Sequence, residues 1–186
     1  MNLFNERRAA QAAAYLLHRS ATGTLPLIKL IKLLYLAERR SLEAYGEPIT
    51  GDYLVSMKHG PVLSRTLNLM NGAEKSAEGG WETWVSDRAE HQVALRDPTM
   101  IRSAEQDLME LSESDVEVLE EVWQKFGHWD RWKLVDYTHE HLPEWEKTNS
   151  SVQITYDKLF AALGYKPEQV SALMQRLKEQ SYHQGH

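Results

Sequence analysis

Glu38 and His59 are the two side chains of this sequence best suited to acid–base chemistry. Catalysis by such a pair needs a reacting group within hydrogen-bond reach of the base, and the residues around His59 supply no nucleophile. A histidine directly before Gly60-Pro61 more commonly makes a local hydrogen bond. We therefore assign no catalytic role to either residue and predict that the protein is not an enzyme.

The segment His139-Glu140-His141 has the residue types of a metal site but not the spacing. Residues two apart on a helix point about 200° away from each other, whereas helical zinc sites use the four-residue spacing of HExxH. The chain also has no cysteine, which excludes disulfides and thiolate zinc sites. We expect no metal and no cofactor, and we expect His139 to pack near Trp145.

The composition is that of an ordinary globular domain, with 186 residues, 42% hydrophobic and 26% charged. The motifs GxSxG, GxGxxG and GxxxxGK[ST] are absent, so serine hydrolases, Rossmann proteins and P-loop proteins lack their defining parts. No apolar run approaches the roughly 20 residues that cross a bilayer, and no signal-peptide cleavage pattern follows the start. We expect one domain over residues 1–186, in the cytoplasm and without membrane contact.

Charge is unevenly distributed along the chain. The net charge is −6, yet residues 1–70 carry nine Lys and Arg against five Asp and Glu. An acidic chain is a poor candidate for binding DNA through its overall field, which disfavours nucleic acid as a partner. Two alternatives are open for the first half: a local basic face, or scattered solvated charges.

The elements that position these residues follow from hydrophobic periodicity. A first helix is predicted over about residues 4–19, and a second, mostly apolar and therefore central, stops at Gly46. A short strand over residues 49–57 follows it. Pro61 then suits the first position of a helix over residues 62–70.

The second half of the chain combines a hairpin with helices. Residues 81–98 read as a hairpin, with strands WETWV and QVALR around the polar turn SDRAEH. Together with residues 53–57 it could form a three-stranded antiparallel sheet. Helices follow from residue 111, where Ser112 is the cap and Asp115 takes the capping-box position. Asp130 is predicted to cap the next helix, which Leu142-Pro143 ends, and Trp145 is expected to return to the core. The predicted fold class is mainly α (α+β): a compact helical domain with a small antiparallel sheet of two to three strands.

The second helix contributes most of the candidate basic face. This face consists of Lys29, Lys32, Arg39, Arg40, Lys58 and Arg65. Glu38 falls on the opposite, apolar side of the helix, where a carboxylate needs a partner or must stay protonated. One interpretation is an internal ion pair, for which Lys58, His59 and Arg65 are nearest in sequence. The other is a cap on a neighbouring backbone.

Tryptophans are the aromatic residues of greatest interest. Trp81 and Trp84 would lie on opposite faces of a strand, so that one joins the core and the other is covered by a helix or exposed. Exposed tryptophan is enriched at interface hot spots. Trp129 and Trp132 pose the same question on a helix. The core interpretation is favoured for each of them.

Several segments, in the right order, resemble the Panacea domain family, the SocA-like antitoxins of bacterial and phage toxin–antitoxin pairs. They are KLLYLAERR (32–40), YGEPITGD (45–52), MKHGPV (57–62), LSESDVEVLEEVWQKFG (111–127), LVDYTHEHLPEW (134–145) and the Ile154-Thr155-Tyr156 entry to a helical pair. The resemblance extends over about residues 4–178, which we take as the core of the domain.

The resemblance implies an antitoxin that neutralises a cognate protein toxin, encoded next to it, by direct contact. Some relatives are proteolytic adaptors that hand the toxin to an ATP-dependent protease, and this alternative stays open. A third alternative is a DNA-binding autorepressor, which the acidic residues of segment 111–127 oppose. The resemblance leaves the oligomeric state open.

The candidate residues fall into two groups. Partner binding is predicted for Arg39, Arg40, Lys58, His59, Arg65, Trp81 and Trp84. Structural roles are predicted for Glu38, Gly51, Gly60, Pro61, His139 and Trp145.

Overall fold

The computed structural model describes residues 1–184, with Arg88 described by its backbone alone. Gly185 and His186, which the predicted domain includes, lie outside the described residues. The helices are α1 (Glu6–Arg19), α2 (Leu27–Tyr45), α3 (Ser64–Met70), α4 (Trp81–Trp84), α5 (Ala104–Asp107), α6 (Glu113–Phe126), α7 (Arg131–His141), α8 (Tyr156–Ala162) and α9 (Pro167–Gln184). The strands are β1 (Thr24–Pro26), β2 (Leu54–Met57), β3 (Gly60–Leu63), β4 (Val85–Arg88), β5 (Gln92–Leu95) and β6 (Val152–Ile154).

Helix α2 lies at the centre of the fold and packs against α1, α6 and α7. Its leucines fill the core because apolar residues cover most of its circumference. Helix α1 approaches α2 closely through a run of fully buried alanines, whose small side chains permit a short interaxial distance. The predicted end of α2 at Gly46 is confirmed.

Local signals set the ends of α6 and α7 as predicted. Ser112 and Asp115 form the expected capping box, in which each side chain accepts a hydrogen bond from the other residue's backbone N–H. The carboxylate of Asp130 accepts from two N–H groups of the first turn of α7.

The fold-class prediction is confirmed, because helices dominate and the β structure is small and antiparallel. The predicted hairpin forms between β4 and β5, but its predicted pairing with residues 53–57 is wrong. The described strands form two three-stranded sheets, in the orders β1-β5-β4 and β3-β2-β6. Strand β5 therefore pairs with β1 and β4 instead of joining residues 53–57, and β2 completes its sheet with β6 from nearly a hundred residues later.

Two element assignments also differ from the prediction. Pro61 lies in β3, opposite Ser56, instead of starting a helix. This strand is at the edge of its sheet, where proline's missing N–H breaks no ladder bond. The segment WETWV is not a strand before Val85, because Trp81–Trp84 form the helical turn α4. The N–H of Trp81 donates to the carboxylate of Glu6, and the N–H of Glu82 donates to the Ser76 hydroxyl.

Candidate protein-binding surface

The carboxylate of Glu38 organises the loop that follows α2. Its oxygens accept hydrogen bonds from the backbone N–H groups of Ile49, Thr50 and Gly51 and from the Thr50 hydroxyl. Glu38 is fully buried, and this burial raises the pKa of the carboxyl group despite the bonds that favour its charged form. The arrangement is the backbone cap that the sequence left open as one of two interpretations.

The loop can close on Glu38 only because residue 51 is glycine. Gly51 has a φ of 74°, a left-handed conformation that side chains disfavour. A Cβ at this position would also collide with the backbone of Leu3. Gly51 thus lets the loop pass between α2 and the N-terminal segment.

Asp52 performs a second capping role, which the sequence analysis did not assign. Its carboxylate accepts from the N–H of Arg65 at 3.0 Å and from the N–H and hydroxyl of Thr66, each at 2.7 Å. These donors belong to the first turn of α3, whose N-cap residue Leu63 makes no side-chain hydrogen bond to the helix. Asp52 therefore supplies from the loop the acceptor that the helix lacks locally.

Lys32 lies in the interior, which corrects its placement on the basic face. It is only 1% exposed, and its Nζ donates to the Pro61 carbonyl at 2.8 Å. Burial lowers the pKa of this amine to about 7. Gly60, with a φ of 108°, makes the contact feasible, because a Cβ there would lie 2.6 Å from the Thr138 hydroxyl and 2.9 Å from Lys32 Nζ.

Arg39 binds the segment that follows α7. Its Nε donates to the carboxylate of Glu144 at 2.6 Å, and the Tyr35 hydroxyl donates to the same oxygen at 3.2 Å. Burial and the negative charge of Glu144 raise the pKa of Tyr35 well above its ordinary value. Glu144 is itself buried, so this ion pair and the bonds of Lys32, Glu38 and Asp52 form what we call the buried framework.

Trp145 closes over the same region, as predicted from its position after the proline. Its ring stacks on His139 with centroids 4.0 Å apart, and its Nε1 donates to the Met57 carbonyl at 2.9 Å. Burial, and then the positive charge of Lys32, lower the pKa of His139. Trp145 therefore joins the end of α7 to strand β2.

The residues predicted to bind a partner lie on several different elements. Arg40 pairs with Glu43 and Glu121, and Arg65 pairs with Glu74. Lys58 and His59 are exposed at the turn between β2 and β3. Trp81 is only 3% exposed and Trp84 is half-buried, both on α4.

A separate cluster of three aromatic side chains lies where α6 is followed by α7, with Phe126 buried and the other two rings half-buried. Phe126, Trp129 and Tyr137 contact one another edge to face, with ring centroids 4.9 to 5.4 Å apart. We call these three residues the aromatic ridge. Lys133 Nζ lies 4.1 Å from the ring centre of Trp129, and Lys125 Nζ lies 5.1 Å from that of Phe126. Trp129 was expected on a helix but lies in the turn between α6 and α7, and no local sequence pattern places it beside Phe126 and Tyr137.

The family model for antitoxin SocA-like proteins, Panacea domain, matches residues 30–146. The chain belongs to this family. Membership supports an antitoxin role for the protein. The matched region of the Panacea domain includes the whole buried framework and the aromatic ridge. Searches of curated proteins and of solved structures found no match to this chain.

The described residues contain neither a membrane-spanning helix nor a metal-binding cluster. Across residues 1–184, no helix is long and apolar enough to span a membrane. Within the same residues, no group of three or more His, Asp or Glu side chains is placed to hold a metal ion.

Proposed function

We propose that this protein neutralises a cognate toxin by binding it directly, without catalysing a reaction. The observation that carries the proposal is the match of the Panacea antitoxin model to residues 30–146. The cognate toxin is expected to be encoded in the neighbouring reading frame. We further propose that the chain acts in the cytoplasm as one domain.

The chemistry of the buried framework supports a binding role. Besides Asp52, whose hydrogen-bond donors are described above, Glu38 and Lys32 are strongly buried groups whose altered pKa values would draw attention in an enzyme. Both are occupied by backbone partners, Glu38 by loop N–H groups and Lys32 by a carbonyl. Neither group faces a cleft in which a substrate would meet it, so their bonds stabilise the fold.

A rigid framework suits inhibition by direct contact. Binding loses less free energy to the ordering of side chains and loops when the surface is already fixed. The bonds from Arg39 to Glu144 and from Trp145 to Met57 hold α2, α7 and β2 together. Surfaces built on these elements are therefore presented in one geometry, with roughly 1,200–2,000 Å² expected to be buried in a stable complex.

Co-expression with the neighbouring reading frame tests the proposal. We expect that frame to arrest growth when expressed alone, and we expect this protein to restore growth and to co-elute with the toxin as a stable complex in size-exclusion chromatography. Restored growth without a complex at micromolar concentrations of both proteins would contradict neutralisation by direct binding. A lack of rescue would contradict the antitoxin role itself.

One control distinguishes direct neutralisation from the mechanism of a proteolytic adaptor. Direct neutralisation predicts that purified protein inhibits purified toxin in a reaction that contains no protease. An adaptor would restore growth in cells but leave the toxin active in that reaction. The two mechanisms thus give opposite results with the same two proteins.

A further inference from the structure

The lysines beside the aromatic ridge lack the carboxylate partner that several arginines of the domain have. Arg39, Arg40 and Arg65 are each paired with a glutamate. Lys125 and Lys133 are exposed, and no carboxylate of the described residues lies within ion-pair distance of either. Their positive charge is therefore not neutralised within the described part of the chain.

Both ammonium groups are positioned by the rings that they cover. Lys133 lies over Trp129, and Lys125 lies within 5.1 Å of the Phe126 centroid and 5.9 Å of the Tyr137 centroid. Cation–π contacts of this kind contribute about 0.5–1 kcal/mol at exposed sites. Lysines held in this way lose less side-chain entropy when they bind an anion, because their position is partly fixed in advance.

A small groove extends the ridge towards α2. It has a volume of about 120 Å³, its floor includes Leu36 and Val122, and Phe126 and Tyr137 line one side. Arg40 and Lys125 also line this groove. The surface thus combines apolar side chains, two aromatic rings and cations, and Glu43 and Glu121 complete its lining.

We infer that this surface, the aromatic ridge with Lys125, Lys133 and the adjoining groove, receives an acidic segment of the toxin. The inference rests on the proposed function and names the chemistry of the partner. Tyrosine, tryptophan and arginine are the residue types enriched at interface hot spots. Exposed, unneutralised lysines on a chain whose net charge is −6 select a complementary acidic patch through local attraction.

The acidic segment is expected to carry an apolar side chain between its carboxylates. Such a side chain would enter the groove above Leu36, while the flanking carboxylates meet Lys125 and Lys133. Single-stranded nucleic acid is the competing occupant, since bases stack on aromatic rings. The carboxylates of Glu43 and Glu121 in the same groove are both paired with Arg40, which leaves Lys125 as the unpaired charge beside the apolar lining.

Charge reversal gives the first test. The double variant Lys125→Glu/Lys133→Glu is compared with Lys75→Glu/Lys147→Glu, which changes the charge equally at exposed lysines elsewhere. We expect the first variant to bind the toxin at least ~10-fold more weakly and to lose growth rescue, whereas the control stays within about 2-fold of the wild type. Circular dichroism and thermal melting establish that both variants are folded.

The outcomes separate the inference from the proposed function. If the wild-type protein neither binds nor rescues, the antitoxin role fails. If the wild type binds and the ridge variant binds equally well, the inference alone is overturned. Wild-type affinity should also fall as NaCl rises from 50 to 500 mM, in the way expected of opposite charges in contact.

A defined probe tests the chemistry of the occupant without the toxin. In an NMR titration, decaglutamate should shift the indole N–H signal of Trp129, assigned with Trp129→Phe, and decalysine should not. The shift should disappear in Lys125→Glu/Lys133→Glu. No shift with decaglutamate, or a larger shift with the oligonucleotide dT12 at equal charge, would overturn the acidic protein segment as occupant.

Discussion

The buried framework and the aromatic ridge place polar and apolar groups in opposite ways. In the framework, ionisable side chains such as Glu38 and Lys32 lie in the interior and bind backbone groups. On the ridge, Trp129 and Tyr137 reach the surface and carry exposed lysines over their rings. The two regions adjoin, since α2 carries Lys32, Glu38 and Arg39 of the framework and also Leu36, which lines the groove beside the ridge.

This difference indicates how stability and recognition are divided within the domain. A buried charge is costly unless every one of its partners is in place, so the framework fixes one arrangement of loops and helices. The half-buried rings of Trp129 and Tyr137 retain apolar area that a partner can cover. Substitutions in the first region should therefore affect the free energy of unfolding, and substitutions in the second should affect binding.

The largest effect on stability is expected at Glu38. Glu38→Ala leaves the buried N–H groups of Ile49, Thr50 and Gly51 without acceptors, so the free energy of unfolding should fall by about 3–5 kcal/mol. Chemical denaturation measures the change. The control Glu43→Ala removes a largely exposed carboxylate and should cost less than about 1 kcal/mol. Equal losses in both variants would contradict the comparison.

Lys32 should make stability depend on pH in the alkaline range. Its pKa is about 7 in the folded state, and it returns to about 10.4 when the chain unfolds. Between these values the unfolded state binds more protons, so stability rises with pH by up to about 1.4 kcal/mol per unit. Below pH 7 Lys32 is protonated in both states, so it no longer makes stability depend on pH.

Denaturation of the wild type and of Lys32→Met between pH 7 and 9 isolates that contribution. Methionine retains an unbranched side chain of similar length but cannot be protonated. The free energy of unfolding of the variant should vary less with pH than that of the wild type. Parallel curves would show that Lys32 is charged in the folded protein.

Trp145 should show an intermediate effect. Trp145→Phe keeps a ring against His139 but removes the N–H that binds the Met57 carbonyl, which should cost about 1–2 kcal/mol. Trp132 is 55% exposed, so the same change there should cost less than about 0.5 kcal/mol. The difference in melting temperature between the two variants measures the contribution of this bond.

The smallest effect on stability is expected on the ridge. Lys125→Ala/Lys133→Ala removes two exposed cation–π contacts, and the free energy of unfolding should change by less than about 1.5 kcal/mol. Toxin affinity, measured by calorimetry, should weaken in the same variant. A loss of stability as large as that of Glu38→Ala would show that the ridge lysines stabilise the fold as strongly as the buried framework does.

Local sequence signals predicted the helices well because their ends depend on nearby residues. Gly46, Ser112 and Asp130 each end or begin a helix where the sequence places them. The resemblance to the Panacea family was equally informative, since it rests on several ordered segments and the family match confirms it.

The features that the sequence did not reveal depend on long-range contacts. A helical wheel places Lys32 beside Arg39 but does not indicate that β3 covers that part of α2. No local sequence pattern indicates that Glu144 is buried in an ion pair, because its partners Tyr35 and Arg39 lie more than a hundred residues earlier. Strand pairing failed for the same reason: β1 has only three residues, and its partner lies far away in sequence.

The bond between Arg39 and Glu144 has a consequence for synthesis on the ribosome. The two residues are 105 positions apart, and chains elongate at about 5–20 residues per second. Arg39 is thus synthesised several seconds before its partner Glu144. During that interval the segment of α2 that carries Arg39 has no access to its partner in the second half of the domain. The first half of the domain can therefore reach its final structure only after the second half has been translated.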